Sequence, residues 1–129
     1  MSPREKIEAY LVRLSLSFQE HAPGTWVVSD TQRGIHNLII ALTDSLVIMR
    51  MNVMEVPGRN REKFYEELLR LNATDLVHGA YGIEGRAVIL IDTLEAEGMG
   101  LEEFEASLDA IGLAVAQHYR TLSQYRAKD

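Results

Sequence analysis

Two short turns between apolar segments constrain the fold of this chain more than any other feature of its sequence. The segments 35–42 and 46–56 are separated only by the turn "TDS", and the segments 76–83 and 86–92 flank "EG". Strands joined by so few residues pair antiparallel, because a parallel crossover needs about a dozen residues or more. The sequence therefore predicts two antiparallel hairpins. A further short strand, "TWVVSD", precedes the first hairpin and extends it to a three-stranded meander.

Three other segments repeat apolar residues at helical spacing. The first starts at Ser2, which forms a capping box with Glu5, and it is predicted to run to about Phe18. The second follows Asn60, a residue type that suits the N-cap position. The third is long, with apolar-seam positions spaced alternately by three and four residues: Leu101, Phe104, Leu108, Ile111, Val115, His118 and Leu122.

The resulting order of elements is α-β-β-β-α-β-β-α. Hairpins without β-α-β alternation are typical of the α+β class, in which helices pack on an antiparallel sheet. We expect an antiparallel sheet of about five strands with three helices. The sequence contains no linker, repeat or low-complexity tract, so residues 1–129 are expected to form a single domain.

Charge and hydropathy argue against several classes of partner. Nineteen acidic and thirteen basic residues give a formal net charge of −6, which repels nucleic-acid phosphates and anionic lipid. The only basic cluster, Arg59, Arg61 and Lys63, is diluted by neighbouring glutamates. The N-terminus lacks a signal-peptide pattern, and no run approaches the roughly 18 apolar residues of a transmembrane helix. We expect a cytoplasmic protein that binds neither nucleic acid nor membrane.

The sequence carries no catalytic or metal-binding motif. There is no cysteine, and the histidines are scattered along the chain at His21, His36, His78 and His118. His118 lies on the apolar seam of the third helix, which predicts a core histidine with local hydrogen bonds. Asp92, Glu95 and Glu97 cluster after the last strand, where a solvated acidic loop is commoner than an acid/base pair. We therefore expect no enzyme, no cofactor and no metal.

The strand at 46–56, which we call the methionine strand, is apolar on both sides. Its alternating faces carry Val47, Met49, Met51 and Val53 on one side and Leu46, Ile48, Arg50, Asn52 and Met54 on the other. A sheet covered on one face only would show clean apolar and polar alternation. The second face is therefore expected to be covered in part by helices of the same chain, by a second subunit or by a partner protein.

The same alternation divides the candidate binding residues. Met49 and Met51 are predicted to be core residues beneath the helices, although replacing either with Asp is expected to abolish partner capture or dimerisation. Methionine thioethers adapt to irregular partners, and an aromatic ring can supply a binding pocket. Partner-binding positions are accordingly predicted at Trp26, Ile48, Arg50 and Met54.

Three stretches resemble a known family. They are "FYEELLRLNATD", the hairpin "HGAYGIEGRAVILID" and the helix "MGLEEFEASLDAIGLAVAQHY". With the first helix and the meander, they resemble the YbjN-like, type III secretion chaperone-like (Tir chaperone-like) family of small bacterial proteins. The resemblance covers about Ile7 to Tyr119. It implies a chaperone-like α+β fold and a homodimer without enzymatic activity, with a dimer interface formed by the second helix (Phe64, Tyr65 and Leu68) and the sheet. The apolar seam of the third helix is the competing interface.

The sequence leaves more than one function open. The first hypothesis is a non-catalytic, dimeric module that shelters an apolar segment of a partner protein or acts as a regulatory adaptor. The alternative is a small-molecule sensor with a pocket between the third helix and the sheet, near His118 and Tyr119. An enzyme that uses the carboxylates between Asp92 and Glu97 is a third hypothesis.

Overall fold

The computed structural model describes residues 1–126, which form one antiparallel sheet with three helices. The helices are Pro3–Arg13 (α1), Arg61–Thr74 (α2) and Leu101–Ser123 (α3), and the strands are Ser17–Ala22 (β1), Thr25–Asp30 (β2), Ile35–Thr43 (β3), Leu46–Glu55 (β4), Ala80–Glu84 (β5) and Ala87–Glu95 (β6). Every neighbouring pair is antiparallel, in the spatial order β1-β2-β3-β4-β6-β5. The α+β class and the order of helices and hairpins are confirmed.

The sheet has six strands instead of about five, because the segment after α1 is a strand. The helix ends at Arg13 and not near Phe18, and Ser15 then adopts a left-handed backbone with φ of 59°. Phe18 belongs to β1 and pairs with Val28 of β2. Phe18 follows Leu14 at a helical spacing, so the sequence pattern extends the predicted helix to it. In the structure Phe18 packs against the core from a strand.

The first helix begins where the sequence predicts. The Ser2 amide donates to Glu5 Oε1 at 2.9 Å, and the Glu5 amide donates to Ser2 Oγ at 3.2 Å, which completes the capping box. Lys6 Nζ and the Tyr10 hydroxyl both donate to the Met99 carbonyl at 3.0 Å. These bonds join α1 to the loop that leads into α3.

All three helices contribute to a single core on one face of the sheet, which we call the covered face. Paired residues of antiparallel strands point to the same side, and the pairs Ile40 with Met49 and Met51 with Leu90 are all buried. Strand residues of this face with at most 5% exposure include Trp26, Val28, Leu38, Ile40, Val47, Met49, Met51, Tyr81, Val88 and Leu90. The prediction that Met49 and Met51 are core residues is confirmed.

A close backbone contact fixes α3 against the turn between β2 and β3. A Cβ atom on Gly112 would lie 1.8 Å from the Arg33 carbonyl oxygen, so only glycine fits this helix position. The Arg33 guanidinium reaches back to Asp109 at 2.6 Å and to Glu105 at 3.1 Å. These contacts set the path of α3 across the covered face. None of the helices within residues 1–126 is both long and apolar enough to cross a membrane.

Candidate protein-binding surface

The opposite side of the sheet, which we call the open sheet face, carries a cross-strand row of large side chains. Val27 pairs with Ile39, Ile39 with Arg50, and Arg50 with Ile91, so these four residues of β2, β3, β4 and β6 point to the same side. Ile48 lies two residues from Arg50 on the same face. None of these residues belongs to the core under the helices, and no helix within residues 1–126 packs on them.

The open sheet face is apolar but partly accessible. Ile39 is 39% exposed and Leu46 is 38% exposed, whereas Met49 on the covered face is fully buried. Ile89 is shielded to 6% exposure although it lies on the open face, where it pairs with Asn52 and Gly82. An accessible apolar surface that spans several strands usually marks an interaction site.

Arg50 stands in the middle of this apolar surface. Its Nη1 donates to the Glu84 carboxylate on β5, which neutralises the charge across the sheet. Its Nε is buried and has no hydrogen-bond partner among the described residues. A buried donor without a partner costs about 1–3 kcal/mol, so this position lowers the stability of the fold.

Two of the four predicted partner-binding residues, Ile48 and Arg50, lie on the open sheet face, and the other two do not. Trp26 is fully buried in the core, where its Nε1 donates to Glu8 Oε2 of α1 at 3.1 Å. Met54 was expected beside Arg50. A β-bulge between Asn52 and Met54 shifts the register, so Met54 pairs with Val88 and packs against the core. The expected grouping of four residues on one surface is therefore corrected.

The structure adds Val27, Ile39, Ile89 and Ile91 to this surface. The sequence shows that their strands are apolar on both sides, and this is the one sequence feature that could have identified these residues as surface candidates. It does not show which residues of different strands meet, because that depends on register.

The predicted interface residues of α2 lie mostly inside the single chain. Phe64 is fully buried and Leu68 is 5% exposed. The Phe64 ring packs edge-on against Tyr125 with a centroid distance of 5.1 Å. Tyr65 is half-buried, and Leu69, one helical turn further, is 67% exposed. The accessible apolar part of α2 therefore consists of Tyr65 and Leu69.

Two hydrogen bonds join His118 of α3 to β5 and to the residue that caps the end of α2. Its Nδ1 lies 2.7 Å from the buried Tyr81 hydroxyl, and its Nε2 lies 3.0 Å from Asp75 Oδ2. A neutral imidazole satisfies both, accepting from Tyr81 and donating to Asp75. The Thr74 hydroxyl and then His118 hold the pKa of Asp75 below its ordinary value, and burial raises the pKa of Tyr81. His118 is the hydrogen-bonded core histidine that the sequence predicts, whereas Tyr119 beside it is 57% exposed.

The acidic residues after the last strand do not converge on one site. Asp92 lies on the covered side of the sheet, opposite Met49, and accepts a 2.6 Å hydrogen bond from the buried Ser107 hydroxyl. Glu95 pairs with Leu46 on the open side, and Glu97 is exposed beyond the strand. Residues 1–126 contain no group of three or more histidine, aspartate or glutamate side chains that could hold a metal ion.

The fold has clear structural relatives. YbjN from E. coli, a candidate transcription regulator, superposes with a TM-score of 0.67 at 15% identity, over 91% of each chain. A chain of the ExoU–SpcU complex from the type III secretion system of Pseudomonas aeruginosa gives 0.62 at 11% identity, over 92% of this chain and 97% of that one. The Yersinia pestis secretion chaperone SycH, in complex with a YscM2 fragment, gives 0.60 at 12% identity, over 96% and 99%. These identities are low, so the likeness shows the fold alone.

The sequence itself matches a family model along almost its whole length. No curated protein sequence matches the chain significantly. Residues 2–128 match the model of the family CesT_Tir_1, whose members are type III secretion chaperones and related binding modules. The match agrees with the resemblance carried by the second hairpin and by the helices on either side of it. The chain therefore belongs to the CesT_Tir_1 family of type III secretion chaperone-like proteins.

Proposed function

We propose that this protein is a non-catalytic binding module that holds an apolar segment of a partner protein on its open sheet face. The observation that carries the proposal is the row Val27, Ile39, Arg50 and Ile91, which runs across four strands without a covering helix. Burying such a surface against an apolar segment would be favourable, because apolar area removed from water is the main source of binding free energy. Catalysis plays no part in this proposal.

The position of Arg50 supports a polypeptide as the occupant. Its Nε is a buried donor without a partner in the described chain, and it lies among apolar side chains. The Arg50 side chain as a whole is 32% exposed, so a backbone carbonyl of a bound segment could accept from its guanidinium while neighbouring apolar side chains contact Ile39 and Ile48. A purely apolar ligand could not accept such a hydrogen bond.

The structural relatives support the same class of partner. The solved structures include SycH in complex with a YscM2 fragment, the ExoU–SpcU heterodimer and the ExsC–ExsE complex. Each of these is an assembly of two different proteins with a chain of this fold. A protein partner is therefore the occupant that the proposal adopts for this chain.

We further propose that the protein is a homodimer, with the accessible part of α2 in the interface. Leu69 supplies the exposed apolar contact beside the half-buried Tyr65, whereas Phe64 and Leu68 hold α2 in position from within the core. The substitution Leu69→Glu should convert a dimer into a folded monomer. Light scattering at micromolar concentration measures this change, and a monomeric wild-type protein would contradict the dimer.

The open sheet face is tested with a defined apolar peptide. We expect the wild-type protein to bind fluorescein-(Leu-Ser)5-amide in an anisotropy titration. Ile48→Asp should weaken that binding about tenfold or more, because the complex would bury an unpaired carboxylate. The matched control is Leu113→Asp on the exposed side of α3, which should keep the wild-type affinity.

Two results would contradict the assignment of the open sheet face. The first is equal binding by the wild-type and Ile48→Asp proteins, or no binding by either. The second is loss of the dimer in Ile48→Asp without any change in peptide affinity, since the face would then be the contact between two copies.

A further inference from the structure

A second surface, at one end of the sheet and on the side of the helices, is a groove of about 730 Å³. It lies between the end of β4, the start of α2, the turn between β5 and β6, and Arg126, which lies shortly beyond the end of α3. Its lining includes Arg61, Arg86 and Arg126, and we call it the arginine groove. The sequence places these three residues far apart, and only the fold brings them together.

The arginine groove keeps a positive charge in a chain whose net charge is −6. Arg61 Nε donates to the Pro57 carbonyl at 2.9 Å, and Arg126 Nη2 lies 3.5 Å from the Val53 carbonyl, so neither guanidinium meets a carboxylate in the described chain. The Arg86 side chain has no partner within residues 1–126. Among the described residues of the lining, Glu55 is the only acidic one.

Four arginines elsewhere in the described chain differ in this respect. Arg4 pairs with Glu20, Arg33 with Asp109 and Arg70 with Glu66, each at 2.6–2.7 Å. Arg50 likewise pairs with Glu84. These four arginines are neutralised within the fold. The Arg126 guanidinium lies 5.6 Å from the centroid of the Tyr119 ring, but no carboxylate of residues 1–126 pairs with the groove arginines, so they can pair with carboxylates from outside.

Apolar side chains lie among the arginines of the groove. The lining includes Met54, Val56, Tyr65 and Ile83, and Ile83 is 46% exposed. The groove therefore offers both cationic and apolar contacts. A chain that alternates acidic and apolar side chains would complement this composition.

The backbone of β4 at this end of the sheet also lacks a strand neighbour on one side. The ladder between β3 and β4 stops at Ile39 with Arg50, whereas the ladder between β4 and β6 continues to Glu55 with Ala87. On its β3 side, β4 has no strand partner beyond Arg50 in the described part of the chain. The peptide groups near Val53 can therefore contact an extended segment, apart from the carbonyl that Arg126 approaches.

We propose that the arginine groove binds an extended acidic segment of a partner protein, with carboxylates on Arg86 and Arg126 and apolar side chains against Met54 and Ile83. A small anion fits less well, because compact ligand sites enclose most of the ligand surface and this groove is walled by exposed residues such as Arg86. The proposal rests on the protein-binding function above but concerns a different surface.

The test uses fluorescein-(Glu-Val)5-amide as the probe in an anisotropy titration of the full chain. The wild-type protein should bind it, and (Gln-Val)5 should bind at least about tenfold more weakly, because charge-assisted hydrogen bonds to arginine are lost. Arg86→Gln should weaken binding of the acidic probe about tenfold. This variant is the informative one, since the exposed Arg86 side chain makes no hydrogen bond or ion pair within residues 1–126.

Control variants separate this groove from the open sheet face. Arg13→Gln, at the end of α1, removes an exposed arginine outside the groove and should keep the wild-type affinity. Ile48→Asp should also keep its affinity for (Glu-Val)5, so a failure of the open-face assignment does not imply a failure here. Raising the salt concentration from about 50 to about 500 mM should weaken binding of the acidic probe and leave binding of (Leu-Ser)5 nearly unchanged.

Any of three results would overturn the proposal. The first is no binding of (Glu-Val)5 by the wild-type protein up to about millimolar concentration. The second is unchanged binding by both Arg86→Gln and Arg126→Gln. The third is tight, Arg86-dependent binding of ATP or of a thymidine oligonucleotide with no binding of the acidic peptide, which would identify the groove as a phosphate site.

Discussion

The covered and open faces of the sheet share the same strands but differ in what their side chains contact. The covered face has Trp26, Met49 and Leu90, which are at most 1% exposed beneath the helices. The open face has the β-branched residues Ile39 and Ile48, with an arginine among them. Both faces are apolar, so hydrophobicity alone does not tell core from binding surface. The difference lies in side-chain contacts and in the presence of a charged pair.

The largest expected effect separates the two faces directly. Met49→Asp places a carboxylate in the core opposite Asp92, and we expect it to cost more than about 4 kcal/mol and to unfold the protein. Ile48→Asp, on the adjacent residue, should cost no more than about 1 kcal/mol because its side chain faces the open side. Urea denaturation followed by circular dichroism measures both, and equal losses would show that the faces are equally buried.

The burial of Met49 and Met51 means that their variants cannot be used to test partner binding. The sequence predicts that Met49→Asp or Met51→Asp abolishes partner capture or dimerisation. Because both residues are buried beneath the helices, any such loss would follow from unfolding and would say nothing about a binding surface.

Replacing one glycine on each side of the sheet with alanine also tests the difference between the covered and open faces. Gly112→Ala should destabilise the fold by about 3 kcal/mol, because the new Cβ would collide with the Arg33 carbonyl under α3. Gly82→Ala on the open face meets only Ile89 Cγ1 at 3.9 Å and should be neutral or stabilising by up to about 1 kcal/mol. Thermal unfolding of the two variants compares them, and a stable Gly112→Ala protein would contradict the close approach of α3.

The hydrogen bond between His118 of α3 and Asp75 predicts that the stability of the fold depends on pH. The pKa of Asp75 is lowered by Thr74 and His118, so its stabilisation is present above its ordinary value of 3.8 and is lost as pH falls through the lower folded value. Asp75→Asn should therefore be less stable than the wild-type protein near neutral pH, with a difference that shrinks in acid. Urea denaturation at several pH values measures this. Thr74→Val should weaken the dependence without removing it, and a difference that grows in acid would contradict this sign.

The smallest expected effect concerns Arg50 on the open face. Arg50→Leu removes a surface ion pair with Glu84 and a buried donor without a partner, so stability should change by no more than about 0.5 kcal/mol. Its apolar replacement should instead increase self-association, measured by light scattering against protein concentration. A large loss of stability would show that Arg50 stabilises the sheet and is not primarily a residue of the binding surface.

Much of the fold could be predicted because hairpins and helix caps are local. The capping box of Ser2 and Glu5 and the two-hairpin organisation depend on residues close together in sequence. The errors arose where local patterns coincide or shift. Phe18 fits both a helix and a strand, and the bulge before Met54 moves that residue to the covered face without any glycine or proline to signal it.

The candidate site was only partly predictable for the same reason. Ile48 and Arg50 share a strand, so alternation places them together, whereas Trp26 points to the covered face and its neighbour Val27 to the open one. The arginine groove depends on Arg61, Arg86 and Arg126 meeting across separate elements. No local periodicity contains that information.

The sequence by itself determined an antiparallel α+β fold and the start of α1, because turns, the capping box of Ser2 and Glu5 and apolar spacing act over a few residues. Asn60, the predicted N-cap of α2, precedes that helix but makes no side-chain capping bond. Only the tertiary structure decided which apolar face the helices cover. A strand with two apolar faces has no local preference between them. The choice depends on the close contact of Gly112 in α3 with the Arg33 backbone and on the pairing register of the strands. That choice leaves Ile39, Ile48 and Arg50 available to a partner.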